Sequence, residues 1–247
     1  MNHAVSELTN STIVNLQQLP TLQNFYLAGG TSLALRLNHR KSYDIDLFTN
    51  KIVGAKGLIK IAEKLKSFYH PKQITVNHIN KELDEQYQFL RAFIFIDGQT
   101  IKVEFLQNLQ IIEPIETFNK IRLCSLIDLG VFKLHSAASR GANKDIYDLD
   151  YITDTIVLPN LLEYFKTKQI KFVGKAFESI FDLDAKPNIL KNPNLLLDIT
   201  ENSTTSASRP FHSNYRIDVI EGSKAWQAAR MSWRLKVKDY LRLKIRY

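Results

Sequence analysis

One stretch constrains this chain more than any other: Phe25 to Phe48, FYLAGGTSLALRLNHRKSYDIDLF. An apolar run from Phe25 to Ala28 meets a Gly29-Gly30-Thr31 turn. A Leu/Ala-rich segment, a basic connector from Arg36 to Lys41 and Asp44-Ile45-Asp46 follow. The pattern predicts strand, glycine turn, short helix, strand. Glycines at a strand-to-helix junction let backbone N–H groups close on a phosphate at the positive end of a helix. Alternate strand residues point the same way, so Asp44 and Asp46 share one face while Ile45 and Leu47 share the other. Two carboxylates beside a phosphate cradle suit Mg²⁺ carrying a nucleoside triphosphate.

Singly, these features are common. With 25 acidic residues in 247, chance alone yields about two or three acidic-x-acidic pairs. Gly29 and Gly30 also fit a tight connection, and Asp44 a turn acid. The combination is harder to explain by packing, because a core has no use for Asp46 between Ile45 and Leu47.

The remaining chain reads as alternating elements, then mostly helix. Val5, Leu8, Thr12, Leu16 and Leu19 predict a helix over 2–19, stopped by Pro20. Strand 25–28, helix 31–38 and strand 44–48 follow, then a helix over 55–69 ended by Pro71. Gln73 to Ile79 and Gln86 to Ile96 are strand-like, and Asp97-Gly98 signals a hairpin into Thr100 to Leu106. There Ile101, Val103 and Phe105 share one face, and Lys102, Glu104 and Leu106 the other. Helices are predicted from Ser125, in a capping-box-like Ser-Leu-Ile-Asp, to about Ala138, over 144–155 with Asn143 as cap, and over 159–169 and 173–181. Residues 184–214, with three prolines and the low-complexity run Ser203 to Ser208, read as linker. A last helix follows Gly222, with Trp226, Arg230, Trp233, Val237 and Leu241 on one face. That helix either docks through its tryptophans or presents an arginine- and aromatic-rich surface to RNA.

Charge is distributed unevenly. The net +8 sits almost wholly in residues 209–247, where ten Lys or Arg face three Asp or Glu; the other 208 residues carry 23 against 22. Such a layout suits a polyanionic partner. No apolar run approaches the length of about 18 residues that spans a membrane, and no basic-then-apolar leader is present, so no membrane association is expected. The single cysteine, Cys124, fits a core thiol in a reducing compartment, and a cytoplasmic protein is the expectation.

The run LAGGTSLALRLNHRKSYDIDLF closely resembles the signature of the AbiEii/AbiGii-type nucleotidyltransferase toxins, a branch of the DNA polymerase β-like nucleotidyltransferase superfamily. That superfamily is marked by Gly-Ser or Gly-Thr followed by Asp-x-Asp. Here twelve residues, Ser32 to Tyr43, separate Thr31 from Asp44, which is typical of the toxin branch. A second block, KLHSAASRGANKDIYD from Lys133 to Asp148, resembles the same family's helical Lys, basic loop and Asp-x-x-Asp-Leu helix start. The resemblance spans roughly residues 20 to 185.

The resemblance implies an α/β (α+β) fold: a polymerase β-like nucleotidyltransferase core with a small mixed sheet flanked by helices, followed by a mostly helical C-terminal half. Together with the linker composition and the basic last helix read above, the chain is expected to divide into a core (1–118), a helical domain completing the site (119–183), a linker (184–214) and a basic C-terminal helix (215–247). It further implies two Mg²⁺ ions, or Mn²⁺, held by Asp44, Asp46 and a third carboxylate, Glu104. Gly29, Gly30 and Thr31 would cradle the phosphates, with Lys133, Arg140 and Lys144 on the triphosphate. His39 and Arg40 would contact phosphate or acceptor, or form an exposed basic connector. One of Asp145 and Asp148 would orient or deprotonate the attacking hydroxyl; both also suit an acidic first helix turn, with Lys144 and Asp148 paired at i, i+4. His135 reads as structural.

The implied activity moves an NMP from an NTP to an acceptor hydroxyl, most simply RNA at a tRNA 3′ end, as the toxin of a toxin–antitoxin or phage-defence pair with a separate antitoxin as partner. A small-molecule or protein hydroxyl as acceptor, and a non-catalytic nucleotide- or RNA-binding module, remain open alternatives.

Overall fold

A computed structural model describes residues 3–77, 83–183, 188–199 and 216–245. A single seven-stranded mixed sheet runs in the order β3-β4-β5-β2-β1-β7-β6. Helix α1 (Glu7–Gln18) starts later than its apolar spacing predicts, because Ser6 Oγ accepts from Thr9 N and caps it there. Strand β1 (Tyr26–Leu27) leads directly into α2 (Gly29–Leu37), which begins on the glycines themselves and ends at Asn38 in the left-handed region. The connector returns the chain as β2 (Ile45–Phe48), antiparallel to β1.

After α3 (Gly54–Phe68) come β3 (Ile74–Asn77), β4 (Phe89–Ile96) and β5 (Gln99–Leu106). Asp97 and Gly98 both have positive φ, as the tight hairpin between β4 and β5 requires. Strand β5 then lies parallel to β2, setting Asp46 opposite Glu104. A short hairpin, β6 (Glu116–Phe118) and β7 (Ile121–Leu123), completes the far edge, and β7 pairs parallel with β1. At three residues each, these strands are too short for alternation to reveal them.

The helical half covers the other side of β1 and β2. Helix α4 (Leu126–Arg140) is capped by Ser125 and closed by Gly141 at φ 57°. In α5 (Asn143–Thr155) the expected Asn143 cap is instead the first helical residue, and the capping position is Ala142, with no side-chain bond. Helix α6 (Leu158–Lys171) follows. The helix expected over 173–181 does not form. Gly174 turns the backbone at φ 99°, and Asn108 Nδ2 donates to the carbonyls of Ala176 and Glu178, leaving only 3₁₀ turns at Lys175–Phe177 and Ile180–Leu183. Within the expected linker, Pro193–Leu197 forms a 3₁₀ turn whose Leu196 is buried with Ile189. Ser203 to Ser208, Arg209 and Arg246 lie outside the described residues.

Helix α7 (Trp226–Ile245) docks on this half. Trp233 and Val237 are fully buried, and Trp233 Nε1 donates to Leu196 O at 2.8 Å. Two of the basic residues in the C-terminal sixth are turned inward: Lys224 and Lys236 both bind Asp150 and Asp154, at 2.5–2.8 Å. The packing of Trp233 predicts that Trp233→Ala costs about 3–5 kcal/mol, measurable as a lowered urea midpoint.

Candidate active site

The first wall of the site is the β1–α2 junction. Gly29 sits at φ +62°, and a Cβ there would collide with the Asp46 carboxylate. A Cβ on Gly30 would stand 2.6 Å from Arg40 Nη2. Gly29 is therefore required by the turn and by the close approach of Asp46, and Gly30 by the close approach of the Arg40 guanidinium alone. Thr31 departs from expectation. Its side chain is fully buried, its hydroxyl bonds to the Asp44 carbonyl oxygen and shares a 2.8 Å hydrogen bond with Ser42, and it does not line the cavity. Its hydroxyl ties the helix start to the acidic strand rather than cradling phosphate.

The second wall is a row across the sheet. Asp46 on β2 pairs in register with Glu104 on β5, and Glu104 with Arg91 on β4. Arg91 holds Glu104 Oε1 at 2.6–2.7 Å, while Lys102 Nζ lies 3.2 Å from Asp44 Oδ2 and 3.7 Å from Glu104 Oε2. Buried Glu104 is thus neutralised by two cations, neither of which was singled out as its partner in the sequence. Asp44 keeps about a third of its side chain exposed (33%).

The third wall is a buried charge network joining the α2–β2 connector to α4 and α5. Asp148 accepts from Arg40 Nε and Nη2 at 2.6 and 2.7 Å and from His39 Nε2 at 2.8 Å, and pairs with Lys133 at 2.7 Å. Asp145 accepts from Lys133 at 2.7 Å and from Arg140 Nε at 2.6 Å. Burial alone would raise both carboxyls, but Arg40 and Lys133 outweigh it at Asp148, and Arg140 and Lys133 at Asp145, so both are held below the ordinary carboxylate range. A carboxylate so strongly bonded is a poor proton acceptor. The expected role of Asp145 or Asp148 in deprotonating a hydroxyl is corrected on that ground, and Asp148 does not line the cavity at all. His39 and Arg40 are buried rather than an exposed connector; burial holds His39 below its usual imidazole value, and its ring stacks on Tyr147 at 5.6 Å. The expected Lys144–Asp148 pair does not form; Asp148 is taken by the other three.

These walls enclose a cavity of about 420 Å³. Gly29, Gly30, Arg40 and Ser42 line one side; Asp44, Asp46 and Glu104 the floor; Lys133, Arg140, Lys144 and Asp145 the rim from α4 and α5. His135, expected to be structural, also lines it. The ammonium of Lys144 makes no hydrogen bond or ion pair among the described residues, and burial together with Arg40 pushes it down to about 8. The other end of the cavity is apolar, built by Phe48, Phe132, Phe165 and Phe172. Phe165, Lys168 and Gln169 on α6, with Phe172 just past its end, recur at helical spacing, a signal that marks one face but not what it faces.

Comparison with known proteins identifies the family. Residues 14–230 match the family described as the nucleotidyl transferase AbiEii toxin of a type IV toxin–antitoxin system. The chain belongs to the AbiEii family. The match runs into α7, beyond the residues that carry the recognisable motifs. A curated relative, the uncharacterized protein aq_aa25 of Aquifex aeolicus (strain VF5), is 30% identical over 139 residues, which cover 52% of this chain and 57% of that protein's length. The nucleotidyltransferase toxin MenT4 (Rv2826c) of Mycobacterium tuberculosis H37Rv has a similar fold, with a TM-score of 0.52 and 16% identity over 94% of this chain and 82% of its own.

Two outcomes follow from the AbiEii site as built. Asp148→Asn leaves Arg40 and Lys133 facing a neutral partner in a buried setting and is expected to cost about 3–5 kcal/mol of stability; an unchanged denaturation midpoint would contradict the structural role. Because Lys144 is charged below about pH 8 and neutral above it, affinity for inorganic tripolyphosphate, read by calorimetry, should fall as pH rises from about 7 to about 9. Lys144→Met should remove most of that dependence.

Proposed function

We propose that this chain transfers a nucleotidyl group from an NTP to an acceptor hydroxyl with release of pyrophosphate. The observation that carries the reading is the convergence, in one cavity, of a glycine helix start, the carboxylates of Asp44 and Asp46, and the cations Lys133, Arg140 and Lys144. Hard carboxylate oxygens are the donors Mg²⁺ prefers. Among the described residues no three His, Cys, Asp or Glu side chains converge as a cage. Asp44 and Asp46 would therefore hold the ion together with the substrate's own phosphates. Glu104, engaged by Arg91 and Lys102, stands beside Asp46 as the third carboxylate of the family pattern. A bound Mg²⁺ supplies charge neutralisation at the triphosphate and lowers the pKa of the attacking hydroxyl.

The protein's own groups do the positioning. Backbone N–H groups at Gly29 and Gly30 face the phosphates at the positive end of α2. Arg140, Lys133 and Lys144 meet the charge that develops as the α-phosphorus is attacked, the main catalytic demand of phosphoryl and nucleotidyl transfer. Asp145 and Asp148 hold Lys133 and Arg140 in place. The same network sets Arg40 against Gly30.

We read the acceptor as RNA, with a tRNA 3′ end the leading target, and the physiological role as the toxin of a toxin–antitoxin or phage-defence pair. Support comes from the family's own description and from Arg234, Lys238 and Arg242, which stay exposed on α7. The partner is then a separately encoded antitoxin, and the setting the cytoplasm; among the described residues no helix is long and apolar enough to cross a membrane.

Purified protein incubated with total RNA, Mg²⁺ and each α-labelled NTP in turn tests this, beside Asp44→Ala and Asp46→Ala. Label is expected in a tRNA-sized band with the unaltered protein alone, with a loss of at least about a hundredfold in either variant. No label on RNA with any NTP, while NTP still raises the melting temperature, would redirect the reading to a protein or small-molecule hydroxyl.

A further inference from the structure

The balanced charge of the first 208 residues conceals a local excess. Residues 51–72 hold six lysines and one acid, Glu63. Three of those lysines, Lys56, Lys60 and Lys64, follow one another at four-residue steps on α3, so they share one side of the helix at intervals of about 6 Å along its axis. All three are exposed, and their ammoniums make no hydrogen bond or ion pair among the described residues. Glu63, on the same helix, pairs with none of them. Like charges four residues apart oppose helix formation, so the row adds nothing to the stability of α3. The helix is held instead by its other side, where Leu58, Ile61 and Leu65 are buried.

The place of the row in the fold gives it a use. Leu58, Ile61 and Leu65 pack in one core with Ile45, Leu47, Val103 and Phe105. Those strand residues alternate with Asp44, Asp46 and Glu104, so α3 backs the sheet on the face opposite the site, and none of its residues lines the cavity. Its N-terminal end nevertheless abuts the cavity edge. Asn108 and Gln110 both line the cavity, and both bond to the segment just before the helix: Asn108 N donates to Lys51 O at 3.2 Å, and Gln110 Nε2 to Asn50 O at 3.1 Å. At the helix start, Val53 N and Gly54 N donate to Gln107 Oε1 at 2.7 and 2.9 Å. The lysines thus form a track that starts beside the cavity and leads on along α3. A polynucleotide has the complementary form, with negative charges at regular intervals on a chain whose end can occupy the cavity while its body lies outside. An acidic protein surface has no such fixed period. We propose that the exposed face of α3 holds the phosphodiester backbone of the RNA acceptor through Lys56, Lys60 and Lys64. Contacts to phosphates position a nucleic acid without reading its sequence, so this surface supplies affinity and register. The proposal rests on the RNA-acceptor reading and deepens it.

Binding tests this without any chemical step. The full chain is titrated with a fluorescently labelled tRNA pool at salt concentrations from about 50 to about 200 mM. Beside it stand the double variant Lys60→Gln/Lys64→Gln and a charge-matched control, Lys120→Gln/Lys191→Gln, at exposed lysines outside α3. In the α3 variant, affinity for the pool should fall about tenfold at low salt, and the slope of log affinity against log salt should lessen by about 2, one for each phosphate contact removed. The control should keep the slope of the unaltered protein. Affinity for inorganic tripolyphosphate with Mg²⁺ should be the same in all three proteins. An α3 variant that keeps both affinity and slope overturns the proposal, and if that variant has instead lost binding to polyglutamate, the face belongs to an acidic protein. Equal losses in the α3 variant and the control also overturn it, since net charge alone then accounts for both. If the unaltered protein binds tripolyphosphate but not the tRNA pool, the RNA acceptor and the track fall together and nucleotidyl transfer still stands.

Discussion

Everything in the site depends on the burial of Asp148. A carboxylate with no exposed surface is tolerable only when its charge is matched at close range, and Arg40 and Lys133 do this from two separate parts of the chain, with the His39 ring adding a hydrogen bond. Arg40 belongs to the connector after α2, Lys133 to α4 and Asp148 to α5. Pairing them draws the helical half down over the end of the sheet where α2 begins. Asp145 extends the network to Arg140, placing a second cation at the cavity rim. The cavity is thus enclosed by an electrostatic constraint, and its positive rim is set by groups whose first partners are protein carboxylates. On the proposed nucleotidyl-transfer reading, a phosphate entering the cavity would meet cations already oriented, which would lower the reorganisation needed as charge develops.

The same principle operates at α7. Its fully buried Trp233 and Val237 supply the apolar contact, and Asp150, buried on α5, binds Lys224, Lys236 and the Ser232 hydroxyl. Helix α5 therefore carries acidic anchors on two sides, Asp145 and Asp148 toward Arg40, Lys133 and Arg140, and Asp150 toward α7. This accounts for a segment rich in aspartate lying almost wholly buried. It also divides the positive charge of the C-terminal sixth into a structural share, Lys224 and Lys236, and an exposed share on the outer face of the helix.

Legibility from the sequence varied with the range of the interactions involved. Gly29-Gly30, the alternation of Asp44, Ile45, Asp46 and Leu47, the Asp97-Gly98 hairpin and the Ser125 cap were all readable, because each is a relation among neighbours a few residues apart. The placement of Glu104 opposite Asp46 was partly readable, since strand alternation set its face, but its Arg91 and Lys102 partners were not. Thr31 was assigned to the phosphates by motif position; in the fold its hydroxyl is spent on Asp44 O and Ser42. The segment 173–181 carries helix-compatible spacing, yet Asn108 takes two of its carbonyls and a helix cannot form there.

What the sequence determined by itself was therefore local: which segments are strand or helix, where two glycines permit a tight junction, and that two aspartates share a face. Only the tertiary structure decided which charges neutralise one another and which rings close the cavity. The reason is physical. Backbone conformation is biased by adjacent side chains, whereas the Arg40–Asp148 contact joins residues 108 apart, and a buried charge selects its partner by proximity after the chain has folded. Lys168 is the plainest case: in the sequence it is one lysine in a basic helix, and in the fold it is the ammonium that stands over Phe132 inside the cavity.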